Sequence, residues 1–188
     1  MLSLEWLAAG LGLAGVLLGL RENIWVWPFF IASSAIYLLI YLKLNLIGQA
    51  VLMLVFILTS AWGLWNWRKN RAAGNRQVLD RPFWLQRTQR IYFLFVALAL
   101  AAGFFLWFSS VDQHPNPWLD ALITAVSLVA MVLMGMKRID CWLTWLFTNA
   151  ASVFLFVQQG LLPTAALYFI QFLLAYWGLR LWTRRQVS

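Results

Sequence analysis

Two side-chain amides, Asn149 and Gln171, sit in the middle of long apolar stretches, and their positions frame what chemistry this chain could do. An amide without a partner in hydrocarbon costs several kcal/mol, so each must either bond a neighbouring helix or face a wet cavity. The first stripe, Trp142, Trp145, Asn149 and Ser152, has i, i+3, i+7, i+10 spacing, which puts all four on one helical face. Similar spacing gathers Thr164, Tyr168, Gln171, Ala175 and Gly178 on the next helix. Aromatic faces beside amides suit the binding of a flat ring, stacked by the first and oriented by the second. A cationic ring gains further from tryptophan faces.

Covalent chemistry finds no support. The six acids (Glu5, Glu22, Asp80, Asp112, Asp120, Asp140) fall at helix ends or in loops, and the sole histidine, His114, lies in a turn. There is no His/Glu cluster for a metal and no Ser-His pair, so neither an enzyme nor a cofactor or metal site is expected. Asp120, one turn into its helix, reads as an N-terminal carboxylate favoured by the helix dipole, with a proton or cation site as the alternative. Cys141 is alone, which precludes an internal disulfide. A retinal protein is set aside because the last helix holds no lysine in its span.

The elements that must carry these residues follow from composition. With 188 residues, 63% hydrophobic, 11% charged and a mean hydropathy of +0.77, the chain reads as an all-α integral membrane protein. Seven stretches reach the roughly 20 apolar residues that a span needs: about 4–20, 24–42, 46–67, 91–108, 118–136, 141–158 and 161–182. The first lacks a basic n-region and a small-residue cleavage site, so it reads as a retained helix rather than a signal peptide. Seven spans put thirteen of the fourteen Lys and Arg residues on one side, leaving Lys43 opposite. The positive-inside rule then sets the N-terminus outside and the C-terminus in the cytoplasm. The net charge of +8 is thereby assigned to anionic headgroups and topology, not to nucleic acid.

A duplication organises the spans. Trp62-Gly63-Leu64-Trp65-Asn66-Trp67 reappears as Trp177-Gly178-Leu179-Arg180-Leu181-Trp182, and the offset that carries 45 to 160 also superposes Leu46/Leu161, Ala50/Ala165, Leu52/Leu167 and Leu58/Leu173. The division expected is a first three-helix repeat over 1–68, a basic linker and a fourth helix over 69–112, and a second repeat over 113–188. The extra span makes the repeats parallel. Asp80-Arg81-Pro82 reads as a helix start, and Asp112 to Pro117 as a break.

Thirteen tryptophans are sorted by depth. Trp6, Trp107 and Trp118 are expected in an outer belt, and Trp25, Trp27, Trp65, Trp67, Trp142 and Trp182 in an inner one, with Trp84 in the linker. Trp62, Trp145 and Trp177 remain for deeper roles. Comparing repeats sets Trp145 against Pro28, Asn149 against Ala32, Tyr168 against Met53 and Gln171 against Phe56. On that alignment aromatic and amide groups concentrate in the second copy, while the first offers Ser33, Ser34, Tyr37 and Ser60. Such asymmetry fits a ligand with a flat ring at one end and a hydroxylated part at the other.

At Asn23-Ile24-Trp25-Val26-Trp27-Pro28, Trp62-Gly63, Asp140-Cys141-Trp142-Leu143-Thr144-Trp145, Ser127 to Met131 and Asn149, the sequence resembles the PnuC family of bacterial vitamin transporters over essentially its whole length. The resemblance implies a SWEET-like fold and facilitated diffusion of nicotinamide riboside, trapped inside by a cytoplasmic vitamin kinase. Thiamine, riboflavin and deoxynucleosides are the alternative cargoes, and a non-transporting scaffold is the alternative of another class. Carried over by position, Trp142, Trp145 and Asn149 match the family's binding motif and Tyr168 a helix 7 aromatic. Gln171, Ser60, Trp62, Tyr37, Tyr176 and Trp177 complete the expected contacts. Met53, Ser60 and Trp177 stand where nicotinamide riboside carriers have amides, which favours thiamine as rival. A homo-oligomer, specifically a trimer, is a further expectation.

Overall fold

The computed structural model describes residues 2–43, 47–72, 82–110, 116–158 and 160–187. Among these it forms seven helices: α1 (Leu2–Leu20), α2 (Val26–Lys43), α3 (Ile47–Ala72), α4 (Arg87–Ser109), α5 (Pro117–Gly135), α6 (Asp140–Gln158) and α7 (Leu162–Val187). All seven are long and apolar enough to cross a membrane, as the hydropathy pattern requires. His114 and the charged linker residues Arg76, Asp80 and Arg81 lie outside the described residues.

The chain divides into two compact units, Met1–Arg81 and Pro82–Ser188. In the first, α1 packs on α2 and α2 on α3; in the second, α4 packs on α5, α5 on α6 and α6 on α7. Helix α4 therefore travels with the second unit. Held between α4 and α6, α5 has 61% of its residues buried, whereas α4 has 11% and presents most of its surface outward.

The helix start expected at Pro82 is displaced. Residues 82–86 are not helical and α4 begins at Arg87, with the Gln86 N–H donating to Gln89 Oε1 at 3.2 Å. The cause is a strap across the α5–α6 turn. Phe83 N–H donates to the Lys137 carbonyl at 3.3 Å, and Ile139 N–H donates to the Phe83 carbonyl at 2.9 Å. Buried Asp140 completes it, accepting the Leu85 N–H at 2.7 Å and pairing with Arg90 Nε at 2.8 Å.

The duplication extends to individual bonds. In the α1–α2 turn, Glu22 N–H reaches the Gly19 carbonyl and Asn23 N–H the Leu18 carbonyl; in the α5–α6 turn, Lys137 reaches Met134 and Arg138 reaches Leu133. Both are Schellman closures with a non-glycine residue in the left-handed region, Glu22 and Lys137 each at φ 54°. Every pair is related by the offset that carries 45 to 160.

At the same offset, each unit holds a three-residue lock. Trp27 of α2 lies against Gly63 of α3, where an added Cβ would fall 2.5 Å from the ring, and meets Trp67 edge to face at 5.4 Å. Trp142 of α6 lies against Gly178 of α7, again at 2.5 Å, and meets Trp182 edge to face at 5.4 Å. These contacts revise the tryptophan assignment. Trp27, Trp67, Trp142 and Trp182 are among the most buried side chains of the protein, not interface belt residues. Trp6, Trp25, Trp65, Trp107 and Trp118 are exposed, as a belt requires.

Candidate functional site

On α6, the two tryptophans of the Trp-x-x-Trp stripe have separate fates. The Trp142 ring is consumed by packing between Gly178 and Trp182, and its Nε1 is buried without a partner. Trp145 is only partly buried. In the first unit its counterpart is Phe30, whose ring lies so close to Gly15 that a Cβ there would sit 2.6 Å from it. The counterpart of Gly15 is Ala130, fully buried, so the second unit carries a methyl where the first leaves the Phe30 ring a bare Cα.

Asn149 is 4% exposed, and Ser152 beside it is also buried. The threonine hydroxyls on α6 are satisfied locally, Thr144 by the Cys141 carbonyl at 2.7 Å and Thr148 by the Trp145 carbonyl at 3.2 Å. Two contacts set the level of α7: Trp142 at Gly178 and Trp182, and Phe156 stacked on Tyr168 at 5.2 Å with planes 13° apart. Interpolation between them brings Asn149 level with about 173–175, so Gln171, which is partly buried, stands within about one helical turn of its depth.

The remaining expected contacts differ in exposure and partners. Tyr168 is partly buried with one face on Phe156. Tyr176 is exposed under the Arg180 guanidinium, 5.8 Å from the ring, and Trp177 is 56% exposed. In the first unit Ser60 is fully buried with its hydroxyl unpartnered, Tyr37 stacks on Tyr41 at 6.0 Å, and Trp62 is 37% exposed. Ser33 is spoken for, donating to the Ala8 carbonyl at 2.8 Å. Asp120 is in the first turn of α5, the place where the helix dipole favours a carboxylate.

The locks also correct the comparison of repeats. Because Trp27 answers Trp142 and Gly63 answers Gly178, one offset governs both helices, and Trp145 aligns with Phe30 while Asn149 aligns with Ser34. The alignment to Pro28 and Ala32 slips by two residues. On α2 and α6 the copies therefore agree in character, aromatic then polar, and their contrast narrows to Met53 against Tyr168, Phe56 against Gln171 and Ser60 against Ala175. Sequence reasoning missed Phe30, the equivalence of Ser34 with Asn149, and the strap on Asp140. The recurrence of Trp27 at Trp142 on the offset of the Trp-Gly tract was the signal for the first two.

A profile of the family described as nicotinamide mononucleotide transporter matches residues 2–184. The riboflavin/roseoflavin transporter RibM of Streptomyces davaonensis is 29% identical over 93% of this chain and 82% of its own. The nicotinamide riboside transporter PnuC of Escherichia coli is 23% identical over 95% of this chain and 85% of its own. The crystal structure of the vitamin B3 transporter PnuC superposes with a TM-score of 0.76 at 20% identity, covering 98% of this chain and 82% of that one. With seven membrane-length helices, a shared fold and a profile match running nearly from end to end, this chain is a multi-pass membrane protein belonging to the nicotinamide mononucleotide transporter family, the PnuC family of vitamin transporters.

Proposed function

We propose that the chain is a uniporter that carries nicotinamide riboside down its gradient across the bacterial inner membrane, with a cytoplasmic kinase trapping the product by phosphorylation. It performs no catalysis itself, and the basic loops face the cytoplasm with the N-terminus outside. One observation carries the reading: a buried amide, Asn149, within about one helical turn in depth of a second amide, Gln171, beside a tryptophan that its own helix bundle does not fully enclose. Such a group offers the pyridine carboxamide a stacking face and hydrogen bonds that lipid cannot. Trp142 supports it from behind as a packing residue.

Riboflavin is the second reading, favoured by the higher identity to RibM. Both vitamins join a flat heteroaromatic ring to a hydroxylated arm, so the same face serves either. Titration of the purified protein with nicotinamide riboside, riboflavin and thiamine, followed by tryptophan fluorescence, separates them. Quenching that saturates with one vitamin and disappears in Trp145→Ala and Asn149→Ala supports the assignment; equal, unsaturable responses to all three would reject a binding site on this face and favour a scaffold.

A further inference from the structure

A crevice of about 390 Å³ runs between α4, α5 and α6 of the second unit. Val126 and Val129 form its floor, and Leu98 and Phe147, both exposed, form its rim, so it opens on the outer surface of membrane-spanning helices. Its lining is apolar along almost its whole length and polar at one end, where Arg90 and Asp140 meet. That end is also the cationic end. Arg87 stands one turn from Arg90, and the strap bonds Phe83 to the backbone of Lys137 and to Ile139 across Arg138. Arg90 thus holds the carboxylate, with Arg87 one turn before it on α4 and Arg138 in the strapped turn.

Arg90 uses Nε on Asp140, yet its side chain remains 51% exposed. A guanidinium carries five N–H donors in a fork suited to phosphate, so the ion pair leaves most of them available. Arg138 Nε, at the same turn, is buried without a partner. An apolar slot that opens toward the bilayer and ends in a half-exposed guanidinium has the polarity of an anionic lipid.

We propose that this crevice is a binding site for an anionic glycerophospholipid, with an acyl chain between α4, α5 and α6 and the headgroup phosphate on Arg90 and Arg87. Because the lipid spans the strap on Asp140 and the floor on α5, its occupancy fastens α4 to the α5–α6 turn. The site is independent of the vitamin assignment.

Native mass spectrometry of the purified full-length protein, titrated with dioleoyl phosphatidylglycerol and dioleoyl phosphatidylcholine, tests this. The wild type should hold the anionic lipid more tightly than the zwitterionic one. Arg87→Gln should weaken it about fivefold, the share of one basic side chain near a membrane surface, with phosphatidylcholine unaffected. Val126→Trp, filling the floor, should abolish the tight site while leaving circular dichroism and the melting curve intact. If that variant does not fold, Leu98→Trp at the exposed rim blocks the same slot with less strain. Equal retention of the two lipids overturns the proposal, as does undiminished phosphatidylglycerol binding in a folded slot-filling variant, which would mean diffuse surface attraction only.

Discussion

Gly178→Ala is the sharpest test of the packing scheme. Nonbonded carbons rest about 3.5–4.0 Å apart, and the new methyl would lie 2.5 Å from Cδ2 and Cε3 of Trp142, an overlap of roughly 1 Å. The ring has no retreat, being fully buried with Trp182 set edge-on at 5.4 Å. Overpacking of this kind costs about 1–3 kcal/mol, while alanine regains up to ~1 kcal/mol of helix propensity, so the net loss reaches about 2 kcal/mol. Gly103 on α4 is the control, with no heavy atom within 4 Å of its would-be Cβ, and Gly103→Ala should gain up to ~1 kcal/mol. The two substitutions are chemically identical and should have opposite signs. Thermal unfolding in detergent at a fixed scan rate reads them, at about 2–4 °C per kcal/mol for a chain of this size. Gly63→Ala should reproduce the loss, and Trp142→Phe should partly rescue Gly178→Ala. If Gly178→Ala melts at or above the wild type, the lock is not a tight contact and the repeat register derived from it fails.

The two tryptophans of α6 should part company: Trp142→Ala costs about 3–5 kcal/mol and lowers the yield of folded protein, whereas Trp145→Ala melts like the wild type but loses vitamin-dependent fluorescence. Asp140→Ala strands the Leu85 N–H and Arg90, costing about 2–3 kcal/mol and raising hydrogen exchange at Leu85 and Ile139; Asp140→Asn, which keeps an acceptor for Leu85, should cost less. Glu22→Gly relieves a left-handed non-glycine residue and should raise the melting temperature by an amount equivalent to about 1 kcal/mol, which a melting curve checks directly.

The spans were readable because bilayer thickness imposes a length and a polarity that composition alone displays, and all seven helices match the stretches expected within a few residues. The offset at which turns and tryptophan locks recur was readable from the Trp-Gly tract. Its register on α2 and α6 was mistaken because that tract lies on α3 and α7 and says nothing directly about their neighbours; only the contact of each glycine with a ring ties the pairs together. Trp27, Trp67, Trp142 and Trp182 were misplaced because tryptophan's preference for interfaces describes the residue in general, whereas here a missing Cβ on the facing helix makes a slot for the ring. The strap of 82–86 was hidden because its main bonds are backbone pairings, which leave no side-chain pattern, and the Asp-Arg-Pro before it imitates a helix start.

Uptake by proteoliposomes that contain the protein and no kinase tests the central claim most directly. With labelled nicotinamide riboside and labelled riboflavin supplied outside, the account predicts that one of them enters until the inner and outer concentrations are equal, that entrapped kinase with ATP then drives accumulation, and that Asn149→Ala abolishes entry. Accumulation above the outside concentration without kinase, or undiminished uptake by folded Asn149→Ala, would contradict it.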